Sequence, residues 1–231
     1  MPKLRFLGHS AFYIESDGFK ALIDPFLTNN TQAVEQASDF TEVDVIFLTH
    51  THGDHLGDTI EIALRTGATV FTCSETATWL AAQGVRTESM HVGGRVTYPF
   101  GRVKMTPAIH GDPIIENGEV RYGGLACGYV IELAGKRLYH AGDTALTMDM
   151  QLLAAEHIDV ACLPIGGCFT MDIEDAARAV GFINPVKAIP MHYNTFPKIK
   201  ADPEDFVTAV SNASLLSTEI IVLQPGETLE Y

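Results

Sequence analysis

Residues 44 to 58, DVIFLTHTHGDHLGD, run an apolar stretch directly into three histidines and an aspartate within six positions. The apolar part reads as a buried strand, so the ligands sit at its end. On an extended strand end, side chains two apart point the same way, which lets His50 and His52 reach one ion together. The turn GDHLG then swings Asp54 and His55 to a neighbouring position, and Gly53 and Gly57 make such a turn cheap in backbone strain. Imidazole and carboxylate donors suit zinc, and also manganese, iron or nickel. The cluster contains no cysteine, which argues against a closed structural zinc site. A lone histidine is more often a hydrogen-bonded core or surface residue. Four ligands in six residues reverse that expectation.

The surrounding pattern is α/β. KLRFLG, AFYIES and KALIDPF read as strands that begin an antiparallel sheet. After Asp44 the order becomes strand then helix: Asp58 is placed to cap a helix with Glu61 three residues on, and Gly67 to end it. A strand ATVFTC leads to a second helix, begun by Ser74 and stopped near Gly84. The second half repeats the order. GRVKMTPAIH, LACGYVIELAG and KRLYHAGD precede IDVACLPIGG, which enters a helix capped at Asp172 and ended before Pro185. VKAIPMHY is a further strand, Asp202 and Pro203 open the last helix, and EIIVLQPG closes the sheet. Two strand-rich halves, each followed by strand–helix units, suggest two mixed sheets packed together with helices outside. No linker rich in Pro, Gly or Ser divides the halves, so residues 1–231 are read as one domain.

THTHGDH resembles the signature of the metallo-β-lactamase superfamily. The other motifs of that superfamily follow in order: ALIDPF with Asp24, TPAIHGD with His110, YHAGDT with Asp143 and IPMHYNTFP with His192. More narrowly, LGHSAF, LIDPF and PMHYNTFP look like the branch of small metal-dependent hydrolases related to ascorbate-6-phosphate lactonases. The resemblance implies a four-layer αβ/βα sandwich with two divalent transition-metal ions at the sheet edges, zinc foremost and manganese, nickel or iron as alternatives. It implies that His50, His52 and His110 bind a first ion, that Asp54, His55 and His192 bind a second, and that Asp143 bridges them. Two such ions lower the pKa of a water held between them and present hydroxide as nucleophile. A metal-dependent hydrolase of a small ester, lactone or phosphoester is therefore expected, with Asp54 and Asp143 as its catalytic carboxylates. Asp24 is implied to accept hydrogen bonds behind the ligands and to fix an imidazole.

Other residues stay open at this stage. His9 suits a contact behind the ligands or a satisfied core position equally well, and leaving-group protonation falls to metal-bound water or His140. Thr170, Tyr193 and Asn194 lie in loops beside the site, with turn roles as their ordinary explanation. Cys168 stands where relatives suggest a polar residue, and a thiol facing the site would be open to oxidation. His91 and His157 read as surface residues, and HGDPIIENGEVRYGG as either a cover over the metals or a plain hairpin.

A formal charge of −14 disfavours nucleic acid as a partner, which sets a nuclease or phosphodiesterase behind a small-molecule hydrolase. Diiron relatives of the superfamily commonly place glutamate where this chain has His52. A metal-retaining binding protein without turnover is the alternative from outside catalysis. No apolar stretch approaches the roughly 18 residues of a membrane span. Four cysteines fall short of a secreted disulfide framework, so a cytoplasmic location is expected. A homo-oligomer is left open.

Overall fold

The computed structural model describes residues 1–213 and 217–231. The first sheet takes β1 (Lys3–Gly8), β2 (Ala11–Ser16), β3 (Phe19–Ile23), β4 (Val45–Phe47), β5 (Thr69–Cys73) and β6 (Arg86–Met90) in that spatial order. Its pairings are antiparallel from β1 to β3 and parallel from β3 to β6. The second sheet opens with β7 (Arg95–Tyr98) and β8 (Gly101–Pro107). The hairpin of β9 (Pro113–Glu116) and β10 (Glu119–Tyr122) then stands apart as a sheet of its own. The second sheet resumes with β11 (Cys127–Leu133), β12 (Lys136–His140), β13 (Val160–Pro164), β14 (Lys187–Met191) and β15 (Glu219–Ile220). It changes from antiparallel to parallel at β12. Both sheets are therefore mixed, as the sequence suggests.

Helices α1 (Gly53–Leu56), α2 (Thr59–Thr66) and α3 (Ser74–Ala81) belong to the first half, and α4 (Ile173–Ile183) and α5 (Pro203–Asn212) to the second. The strand period of two decides which side each residue covers. On β4, Val45 and Phe47 point between the sheets, where the Phe47 ring packs 5.2 Å from Phe71 and 5.3 Å from Tyr129 of β11. Ile46 and the following Leu48 point the other way and share a cluster with Ile62 of α2 and Leu80 of α3. Ala176 and Val180 of α4 and Phe206 of α5 belong to the larger cluster, which both sheets share. The result is the αβ/βα sandwich. A polar tie crosses its middle: the buried Tyr129 hydroxyl lies 2.9 Å from the Leu48 carbonyl and 3.0 Å from that of Phe71.

Helix starts follow the expected chemistry at two places. The Asp172 carboxylate accepts from Asp175 N–H at 2.9 Å and that of Asp202 from Glu204 N–H at 3.0 Å, each capping the helix that follows. Asp58 does otherwise. Its side chain accepts from the backbone N–H groups of Leu27 and Thr28, at 2.9 and 2.8 Å, so it pins the loop after β3 instead of capping α2. The chain also ends differently from the sequence reading. EIIVLQPG supplies only the two-residue edge strand β15, and the chain then crosses to the first sheet, where β16 (Thr228–Glu230) pairs antiparallel with β1. No helix among the described residues is long and apolar enough to cross a membrane.

Candidate metal centre

Six strand ends meet along one edge of the sandwich. His9 follows β1, Asp24 follows β3, His50 and His52 follow β4, His110 follows β8, Asp143 follows β12 and His192 follows β14. Three of these residues turn sharply: His9, Asp24 and His192 have φ of 58°, 43° and 56°. Left-handed backbone is uncommon for such side chains and costs of order 1–3 kcal/mol where it is strained. Here it ends each strand abruptly and turns the residue into the shared space.

Six of the seven residues expected as ligands come together in two groups, with Asp143 between them. His50, His52 and His110 form the first, with ring centroids 4.9 to 5.1 Å apart and His110 Nε2 3.2 Å from His52 Nδ1. Asp54, His55 and His192 form the second, which His9 also joins. Asp143 lies between the groups: His192 Nε2 is 3.0 Å and His110 Nε2 3.6 Å from its Oδ2, and His55 Nε2 is 3.1 Å from its Oδ1.

The residues behind these groups fix which ring nitrogen faces inward. Asp24 is fully buried and accepts from Thr49 N–H at 2.8 Å and from the Thr49 hydroxyl at 2.6 Å. With its one proton given to Asp24, Thr49 Oγ1 can only accept from His50 Nδ1, 3.0 Å away. Asp24 Oδ2 also accepts from His55 Nδ1 at 2.7 Å. Both imidazoles thus commit Nδ1 behind and turn Nε2 to the centre, the arrangement that metal-binding histidines usually have. His50 Nε2 is buried with no hydrogen-bond partner, and His55 Nε2, His192 Nε2 and Asp143 Oδ1 are buried and close to one another without hydrogen-bond geometry between them. Buried polar atoms are rarely left so, and a cation placed among these lone pairs satisfies them.

The electrostatics agree. Burial pushes the pKa of His50 well below its ordinary value, and those of His52 and His110 downward, keeping the first group neutral at pH 7. Burial acts the same way on His55, but Asp143 and Asp24 on either side outweigh it and hold that ring well above the usual histidine range. For Asp143, burial would favour the neutral acid, and the adjacent His55 and His192 reverse this. The second group therefore attracts positive charge strongly. A proton on His55 answers that demand in part, and a cation among these donors would answer more of it.

His140 is no candidate for protonating a leaving group. It is fully buried, its Nε2 donates to the Ser10 carbonyl at 3.0 Å, and its Nδ1 accepts from Gly142 N–H at 3.2 Å. Both nitrogens are committed, and burial lowers its pKa. Its effect is to tie the His9 turn to the Asp143 turn. His9, left open by the sequence, is fully buried with Nδ1 2.9 Å from Thr195 Oγ1 and Nε2 3.3 Å from Asp54 Oδ2. Burial sets its pKa at about 4 despite the bond to Asp54. No histidine stands near His9 in the chain to betray it, and only its position after a glycine at a strand end marks it.

Around the centre, Asn194 Oδ1 accepts from Ala201 N–H and Thr170 Oγ1 donates to the Met171 carbonyl, so both serve their own turns. Tyr193 is buried, its carbonyl accepting from Gln32 Nε2 at 2.9 Å. Cys168 is exposed. His91 and His157 lie on the surface, as expected. HGDPIIENGEVRYGG forms the plain hairpin, β9 with β10.

The family model of the beta-lactamase superfamily domain matches residues 3–192, a span that contains the whole constellation. The chain belongs to this superfamily. A UPF0173 metal-dependent hydrolase of Alkaliphilus metalliredigens is 55% identical over 214 residues, covering 92% of this chain and 95% of that protein. Among solved structures, the metallo hydrolase Igni18 of Ignicoccus hospitalis is 38% identical with a TM-score of 0.89, covering 100% and 99% of the two chains. An isothiocyanate hydrolase from Delia radicum gut bacteria superposes with a TM-score of 0.77 at 20% identity, covering 99% and 98% of the two chains, a likeness of fold alone. The chain thus sits among the metal-dependent hydrolases of the superfamily.

Proposed function

We propose that this chain hydrolyses a small ester, lactone or phosphoester with two divalent ions, zinc foremost. His50, His52 and His110 would hold one ion, Asp54, His55 and His192 the other, and Asp143 would touch both. The observation that carries this reading is two groups of donors sharing one carboxylate, sealed on one side and open on the other. His50, His55, Asp143 and His192 are buried, whereas His52, Asp54 and His110 are partly exposed. A closed structural site would bury all its donors; a catalytic one keeps a position open for water and substrate.

Ions bound there would supply a hydroxide nucleophile at neutral pH and polarise the scissile carbonyl or phosphoryl oxygen. The chain's own residues supply the rest. Asp24 and Thr49 hold the His50 and His55 rings in the tautomer that leaves Nε2 free. Asp54, on the open side with its Oδ2 near His9 and His192, is placed to accept a hydrogen bond from the attacking group and so aim it. An acidic chain with scattered basic residues favours a small molecule over a polynucleotide. All four cysteines are free, in keeping with a cytoplasmic location.

The test joins metal analysis to turnover. The purified protein should hold up to two ions per chain and cleave members of a panel of lactones, phosphodiesters and thioesters. His52→Ala and Asp143→Ala should each lose metal and turnover together. Full activity in metal-free protein would overturn the reading, and no turnover from fully metallated protein would favour a binding role.

A further inference from the structure

Asp112 lies two residues beyond His110, outside both groups of metal donors, and is nonetheless buried and fully engaged. Its Oδ1 accepts from the Thr51 backbone N–H at 2.8 Å and lies 2.7 Å from the Thr51 hydroxyl, whose single proton also has the Pro113 carbonyl 2.5 Å away. Its Oδ2 lies 3.1 Å from the Thr76 hydroxyl, which has a shorter contact of 2.7 Å with the Gly123 carbonyl, and 3.3 Å from Cys73 Sγ. Thr51 is itself buried and stands between His50 and His52. The bond to its N–H therefore fixes the His50–Thr51 peptide, the first of the two between the histidines. At its other end, Asp112 belongs to the turn that carries His110.

We propose that Asp112 is a positioning residue that holds the first metal trio together. Its carboxylate clamps the segment bearing His50 and His52, from the first sheet, to the segment bearing His110, from the second. This rests on the metal-binding reading above. A buried carboxylate is an expensive way to fill space, since an apolar side chain would pack there without desolvating a charge. What the carboxylate adds is an acceptor strong enough to fix one peptide plane, and Oδ1 takes the shorter bonds on the Thr51 side. His52 Nδ1 and His110 Nε2, 3.2 Å apart, are the donors this clamp registers against each other. Residues that orient metal ligands from behind typically change affinity 10–100-fold when lost.

The experiment titrates metal-free protein with Zn²⁺ against a competing chelator, and with Co²⁺ while following its visible spectrum. Wild-type protein should bind two ions; if it binds none, the metal reading itself fails. Asp112→Ala should weaken one of the two sites by about tenfold or more and change its Co²⁺ spectrum, leaving the other site within about twofold. Asp112→Asn keeps an acceptor oxygen for Thr51 and should restore most of the affinity. Thr76→Val, which disturbs only the Oδ2 side, should bind both ions as wild type does. If Asp112→Ala does not fold, Thr51→Val, which removes the hydroxyl shared between Oδ1 and the Pro113 carbonyl, should weaken the same site by a smaller factor. Wild-type affinity at both sites in Asp112→Ala, or in Thr51→Val where that variant stands in, would overturn the proposal. So would a Thr76→Val variant as impaired as Asp112→Ala, because packing alone would then explain the effect.

Discussion

At the scale of single residues, Asp24 has more influence than its distance from the open side suggests. It accepts from Thr49 twice and from His55 Nδ1 once. Asp24→Asn changes few atoms but places an amide N–H against one of these donors, whichever way the amide turns. Facing His55, it forces that ring to accept at Nδ1 and carry its proton on Nε2, the nitrogen aimed at Asp143. Metal affinity should fall 10–100-fold with the fold intact, read by chelator competition beside circular dichroism; unchanged affinity would show that Asp24 does not set the tautomer. His140 makes a second prediction, in pH. Its folded pKa is depressed by burial, so above about 6.5, its unfolded value, it adds no pH dependence. Below that, the unfolded chain takes up a proton that the folded ring refuses, and stability falls by up to about 1.4 kcal/mol per pH unit until the folded pKa is reached. Urea unfolding of metal-free His140→Gln at pH 7 and 5.5 should show a shallower pH dependence than wild type. Equal slopes would mean that His140 is protonated in the fold.

At the scale of elements, the turn between the ligand run and α2 depends on Gly57. Its φ is 41° and its ψ −122°, and a Cβ there would lie 2.5 Å from both Phe26 Cα and the Pro25 carbonyl oxygen. Neither neighbour is a flexible side-chain tip, so Gly57→Ala must shift backbone. It should destabilise by upwards of about 2 kcal/mol and weaken the site holding His55, seen in urea unfolding and metal titration together. Gly53→Ala meets nothing within 4 Å and should be close to neutral, which makes it the control. The sequence favoured both glycines alike, and only the close approach of the loop after β3 separates them. The same limit runs through the rest of the sequence reading. His110, Asp143 and His192 were legible through the superfamily's motifs, which the chain carries in order. Asp58 looked like a helix cap because cap chemistry is local, whereas its partners, Leu27 and Thr28, lie about thirty residues earlier. Asp112 was hidden for a similar reason, its bonds to Thr51 spanning 61 positions. β16 was illegible because an edge strand of three residues, none buried, has no apolar pattern to read.

At the scale of the whole molecule, the proposed ions act as clips between the two sheets. His50 and His52 come from the first sheet and His110 from the second; Asp54 and His55 follow the first and His192 belongs to the second. The apolar clusters between the sheets and beneath the helices bury most of their residues through contacts among themselves. Removing metal should therefore loosen one edge and leave the sandwich standing. A ligand present at 100 times its dissociation constant stabilises by about 2.7 kcal/mol, and a chain of this size shifts by roughly 2–4 °C per kcal/mol. Each ion should thus raise Tm by roughly 5–10 °C at that excess, the shift growing with metal concentration. Chelated protein should keep its far-UV circular dichroism and gain hydrogen exchange first in the loops after β4, β8, β12 and β14. If Tm stays the same after both ions are removed, the convergence of these strand ends is held by the protein alone, and the donors do not need a cation to coexist.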